Sequence, residues 1–164
     1  MLAFEVSRQL RKRGNTVKGV VLIDSPVPIG HEPLPKQIIE YVVGSGDSDR
    51  KKNKSVAREQ IEAMFGQHAG MLQQYNPEPV SSTADRVPCA LLHCTRTMNT
   101  DQLCGIAYPW LSDDDARTKS IDGWERLLGR RLLVVDIDCN HFEVFDANNV
   151  SKYSPNRSFQ VKRD

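Results

Sequence analysis

Three short runs of apolar residues punctuate the chain, and they limit the folds open to it. Residues 17–24 read VKGVVLID, residues 87–94 VPCALLHC and residues 131–137 RLLVVDI. Each is nearly continuous in hydrophobicity, as strands of a parallel sheet buried between helices are, and unlike the in–out alternation of a half-solvated antiparallel sheet. The first run, with Val20, Val21, Leu22 and Ile23 consecutive, is expected to be a central strand covered on both faces. The other two are expected as buried neighbours.

Helical patterns separate these runs. Residues 2–13 predict an amphipathic helix, with Leu2, Val6 and Leu10 at i, i+4 spacing and Ala3 and Phe4 widening the stripe. Arg11, Lys12 and Arg13 suit the negative end of its dipole, and Gly14-Asn15 stops it. No capping residue precedes this helix, so the domain is expected to be incomplete at its N-terminus. Residues 33–43 predict a short helix and residues 55–75 a longer one, joined by the polar segment GSGDSDRKKNK, which reads as a mobile loop. Ser112-Asp113-Asp114-Asp115 reads as a helix start, and residues 120–128 carry Ile121, Trp124, Leu127 and Leu128 on one side. A short helix is expected near 146–150, and the polar tail from about Ser154 is expected to fray. The order helix–strand–helices–strand–helix–strand–helix predicts a single α/β domain over 1–164 built on a parallel sheet.

Composition narrows the function classes. With 39% hydrophobic and 26% charged residues the chain can bury a core, and a net charge of +1 gives no surface suited to nucleic acid. The cluster Arg50-Lys51-Lys52 with Lys54 reads as a solvated loop. No stretch approaches the roughly 18 apolar residues that span a bilayer, and no secretory h-region opens the chain, so a soluble, cytoplasmic protein is expected. Cys89, Cys94, Cys104 and Cys139 form no CxxC pair and no metal-ligand spacing. Cys89 and Cys94 read as buried thiols.

Two side chains suggest chemistry. Asp24 ends the first strand and His141 lies just past the third, so both project from the C-terminal edge of a doubly wound sheet, where ligands and catalysis collect. A carboxylate there fixes the tautomer of an imidazole and makes it a general base. An aspartate after a strand also serves as an ordinary turn residue, so position alone leaves both readings open.

Residues 2–26, LAFEVSRQLRKRGNTVKGVVLIDSP, closely resemble the region just after the nucleophile in thioesterase domains of fungal polyketide synthases and related synthetases, members of the α/β-hydrolase superfamily. Residues 136–146, DIDCNHFEVFD, resemble the late N-H-F motif of the same family. Tyr108-Pro109-Trp110 and Gly123-Trp124-Glu125 fit it more loosely. The resemblance implies a partial α/β-hydrolase fold, a parallel sheet with flanking helices and a helical lid insertion over 30–80. It implies Asp24 as triad acid and His141 as triad base, in the chain order Ser, acid, His. Met64, Phe65 and Tyr75 would line an acyl chamber under the lid. No cofactor is implied as bound. The substrate would be an acyl or polyketide group on a phosphopantetheine thioester, and the partner an acyl carrier domain with its tethered chain.

The chain departs from the family at one point: it contains no G-x-S-x-G, and Gly44-Ser45-Gly46 lies in a polar loop. Cys139 and Cys94 lie too close in sequence to His141 and His93 for an easy Cys–His dyad. The isolated chain is therefore expected to be inactive. The rival readings are a non-catalytic remnant that binds a carrier domain, and an esterase of the same fold.

Overall fold

A computed structural model of the protein describes residues 2–30, 32–44, 54–83 and 86–150. Its elements run α1 (Leu2–Lys12), β1 (Val20–Ile23), α2 (Lys36–Gly44), α3 (Lys54–Gln74), β2 (Cys89–Cys94), a 3-10 turn (Asp101–Leu103), α4 (Pro109–Ser112), α5 (Asp114–Leu128), β3 (Leu133–Ile137), a second 3-10 turn (His141–Glu143) and α6 (Ala147–Val150). The expected mobile loop and fraying tail fall almost wholly outside the described residues.

The three apolar runs form one parallel sheet in the order β1-β2-β3. Val20 to Ile23 pair in register with Cys89 to Leu92, and Ala90 to Cys94 with Leu133 to Ile137. Sequential parallel strands require crossovers, which α2, α3 and α5 help to provide. All three strands therefore end on the same edge.

Three expectations about burial are corrected. Among the described residues β1 is an edge strand, not a central one: Val20 and Leu22 are buried, whereas Val21 is 59% and Ile23 39% exposed. The outer strand β3 is likewise only partly covered, with Leu133 exposed. The middle strand β2 is the best buried of the three. In α1 the Leu2, Val6 and Leu10 stripe faces outward, and Phe4 and Ser7 are the residues it buries. The reason is geometric. Phe4 meets the ring of Trp124 edge-on at 5.5 Å between centroids, which turns the opposite side of the helix to solvent.

The main core joins α1, the sheet and α5 through Phe4, Leu22, Leu91, Trp124, Leu127 and Leu128. α5 begins at Asp113, whose carboxylate accepts the backbone N–H groups of Asp115 and Ala116. It ends at Gly129, held at φ 63°, the left-handed conformation that glycine adopts without penalty. Gly123 lets this helix press on the segment after β1, since a Cβ there would lie 2.9 Å from Val27 Cγ1. Two hydrogen bonds complete the seam: Trp124 Nε1 donates to the carbonyl of Ser25 at 2.8 Å, and the N–H of Val27 donates to Ser120 Oγ at 2.8 Å. α5 thus fixes the chain on the C-terminal side of Asp24.

Candidate active site

Asp24 follows the last residue of β1 with φ at 38°, a left-handed backbone that aspartate tolerates better than most residues. Its N–H still donates to the carbonyl of Leu92, so strand pairing holds the turn in place. The strained backbone directs the carboxylate across the strand ends, and non-glycine residues in this region gather at functional sites. Asp24 is 2% exposed.

His141 opens the 3-10 turn after β3. Asn140 caps that turn: its Oδ1 accepts from the N–H groups of Phe142 and Glu143, and Glu143 Oε2 accepts from the N–H of Asn140. Arg96 donates to the same Glu143 oxygen at 2.5 Å and so ties the turn to the loop after β2. The sheet and this capping box bring together two residues 117 positions apart, with His141 Nδ1 lying 2.9 Å from Asp24 Oδ2. A carboxylate at Nδ1 fixes the proton on that nitrogen and leaves Nε2 as the free base. The imidazole is 29% exposed.

The other oxygen of Asp24 is fully engaged. Oδ1 accepts from the N–H of Cys94 at 3.0 Å and from Arg117 Nη2 at 2.6 Å. Burial alone would push the Asp24 carboxyl up; the His141 hydrogen bond, the Arg117 charge and the Cys94 N–H outweigh it and hold the carboxyl below the usual range. Trp110 closes one side, with its ring edge-on to His141 at 4.8 Å and the Arg117 guanidinium 5.4 Å from its centroid. Phe142 meets the imidazole from another side at 5.1 Å.

Arg117 is the site residue that sequence reasoning missed. A signal existed: positions 117, 120, 121, 124, 127 and 128 form one helical stripe, and all but one of these six residues are buried, so an arginine on that stripe needs a buried partner. Trp110 was visible only as part of a loose motif.

The three buried cysteines are poor nucleophiles. Cys94 and Cys139 are fully buried with sulfur atoms 3.5 Å apart, and burial pushes both thiols up. Cys89, also buried, is pushed up to about 11. Cys89 and Cys94 are thus the buried thiols expected.

Beside the pair, across Trp110, lies a cavity of about 530 Å³ lined by residues that include Val27, Ile29, Tyr108, Lys119 and Leu127. Met64, Phe65 and Tyr75, the residues expected to line an acyl chamber, sit on or just after α3. Met64 and Phe65 project from α3, 52% and 38% exposed, and Tyr75 donates its hydroxyl to Glu5 of α1 at 2.7 Å. None of the three lines that cavity. Among the described residues, no helix is long and apolar enough to cross a membrane.

A buried aspartate, a partly exposed histidine and an adjoining cavity at the C-terminal edge of a parallel sheet define a class, the α/β folds that gather their functional residues at the strand ends. The model of the thioesterase domain matches residues 1–153, and the chain belongs to that family. It is 33% identical to the orsellinic acid synthase of Beauveria bassiana (strain ARSEF 2860), with 94% of this chain and 8% of that protein aligned. It is 31% identical to the orsellinic acid synthase armB of Armillaria mellea, over 88% of this chain and 6% of that protein. The chain thus spans less than a tenth of the length of these relatives. Solved structures that share its fold include the following two. The thioesterase domain of NocB, in covalent complex with a fluorophosphonate nocardicin G analog, superposes with a TM-score of 0.59 at 21% identity, over 92% of this chain and 56% of that one. A four-domain nonribosomal peptide synthetase, AB3403, superposes with a TM-score of 0.57 at 18% identity, over 92% and 13%.

Proposed function

We propose that this chain carries the acid–base half of a thioesterase that releases an acyl or polyketide chain from a carrier-bound phosphopantetheine thioester. The observation that carries the reading is the contact between His141 Nδ1 and the buried Asp24 Oδ2 at 2.9 Å. Family membership and the likeness to synthase relatives support it.

In this mechanism a serine hydroxyl approaches His141 Nε2. The imidazole takes the hydroxyl proton as oxygen attacks the thioester carbonyl, while Asp24 holds the Nδ1 proton and stabilises the imidazolium. Collapse of the tetrahedral intermediate breaks the C–S bond, and His141 returns the proton to the departing thiol. A water or substrate hydroxyl, deprotonated by the same nitrogen, then attacks the acyl-serine; collapse breaks the acyl C–O bond, His141 returns the proton to the serine oxygen, and the product is freed. The serine is not in a G-x-S-x-G of these 164 residues, so it comes from a segment outside them, and the isolated chain is inactive.

The chain acts as one domain over 1–164, with 30–80 as its lid. The exposed apolar side chains Met64 and Phe65 on α3 meet the acyl chain when the lid closes, and Tyr75, tied to Glu5, anchors the lid to α1. The partner is an acyl carrier domain, which presents its arm to the cavity beside Trp110. No bound cofactor is required.

The test uses a serine-containing synthase carrying this domain. Asp24→Asn and His141→Ala are each expected to slow release of the carrier-bound acyl chain by about 10⁴-fold, by analogy with triad removal in other hydrolases. Release at the wild-type rate by either variant excludes the assigned roles.

A further inference from the structure

Arg117 is 3% exposed, and its charge is expensive in that position. A merely structural link between α5 and β1 does not need it, because a buried ion pair replaced by well-packed apolar groups is often no less stable. Its hydrogen bonding is also incomplete. One Nη2 serves both Asp24 Oδ1 and the carbonyl of Cys94, Nη1 donates to the carbonyl of Trp110 at 3.2 Å, and Nε is without a partner among the described residues. What the position does supply is a permanent positive charge on one oxygen of a carboxylate whose other oxygen faces an imidazole.

A base must be neutral before it can accept a proton. When His141 is neutral, a buried Asp24 with no second cation would be an uncompensated charge, and the pair would relieve it by keeping the imidazole protonated. Among the described residues, the remaining neighbours carry no compensating charge. From β2 come the Cys94 N–H and thiol, and from the end of β3 the Cys139 thiol, both thiols being protonated. α4 presents the Trp110 ring, and the second 3-10 turn presents the Phe142 ring. Glu143 and Asp138 are taken by Arg96, and His93, which shares a small cavity with Asp24 and Arg117, is bonded to Asp136 at 3.1 Å.

We propose that Arg117 is the positioning residue of this site: a fixed cation that occupies Asp24 Oδ1, leaves Oδ2 for His141, and keeps the aspartate charged while the imidazole is neutral, so that the base is ready at a lower pH than an unbalanced Asp–His pair would allow. The inference rests on the proposed acid–base roles of Asp24 and His141. It adds a third side chain that touches neither substrate nor nucleophile and acts through the acid.

The experiment is an NMR titration of the His141 ring in the purified 164-residue chain, assigned by comparison with His141→Ala. Arg117→Met is expected to move the midpoint up by about one pH unit, the effect of removing one close charge. Arg117→Lys, which restores the charge, is expected to return it most of the way, and Asp24→Asn is expected to move it down. In a serine-containing synthase the acid limb of kcat/KM follows the same order. A folded Arg117→Met whose His141 midpoint is unchanged or lower overturns the proposal. An Asp24→Asn variant that leaves the midpoint unmoved instead overturns the Asp24–His141 reading itself. If Arg117→Met does not fold, the double variant Asp24→Asn/Arg117→Met decides. Recovery of the fold supports an arginine that serves the aspartate's charge, and failure to recover overturns it.

Discussion

Asp24 carries three burdens in one residue: a left-handed backbone, a buried charge and the orientation of His141. The first makes asparagine a suitable replacement, since it tolerates the same conformation, while a β-branched residue would add strain. The second has a consequence for stability. The carboxyl is held below its ordinary value, so its contribution is fully present above about pH 4, where an unfolded aspartate is ionised, and is lost as pH falls toward the lower folded value. Thermal melts from about pH 6 down to about pH 3 should therefore show a steeper loss of stability for the wild-type chain than for Asp24→Asn. Parallel acid profiles for the two would mean that the carboxylate is not stabilised by its neighbours.

At the scale of the element, α5 sets the site, because it holds Arg117 against the acid and Ser120 and Trp124 against the segment that follows it. Its ends are correspondingly sensitive. Asp113→Ala removes the cap that accepts the N–H groups of Asp115 and Ala116 and should cost about 1 kcal/mol in urea denaturation. Gly129→Ala should cost at least that much, because φ is 63° and the new Cβ would lie 2.6 Å from the carbonyl of Val80. Wild-type stability in both would contradict the role given to this helix. The same helix illustrates what the sequence made legible. Its acidic start and its Trp124, Leu127, Leu128 face were readable, because capping and periodicity are local properties. The strands were found for the same reason, with N-terminal ends two or three residues too long and the end of β1 one residue too long. The coverage of β1 and of the Leu2, Val6, Leu10 stripe was misjudged, since periodicity reports which residues share a face and not what lies across from it. Asp24 and His141 were readable from strand-end position and motif. Arg117 was not, because its partner is 93 residues away and only the sheet brings them together.

The whole molecule presents an uneven surface. Val21, Ile23 and Leu133 are exposed on the sheet, one edge of β1 is unpaired among the described residues, and Leu2, Val6 and Leu10 are exposed on α1. An open strand with exposed apolar residues is a template for association. The purified chain is expected to self-associate with rising concentration, and Val21→Lys to reduce that association; sedimentation showing a monomer at all concentrations, unchanged by the substitution, would count against this. The central claim concerns chemistry and has one direct measurement: the rate at which a serine-containing synthase with His141→Ala releases a carrier-bound acyl thioester. A fall in release of about 10⁴-fold, with the fold intact, is the result expected of a base held by a buried aspartate. Release at the wild-type rate would show that the imidazole takes no part.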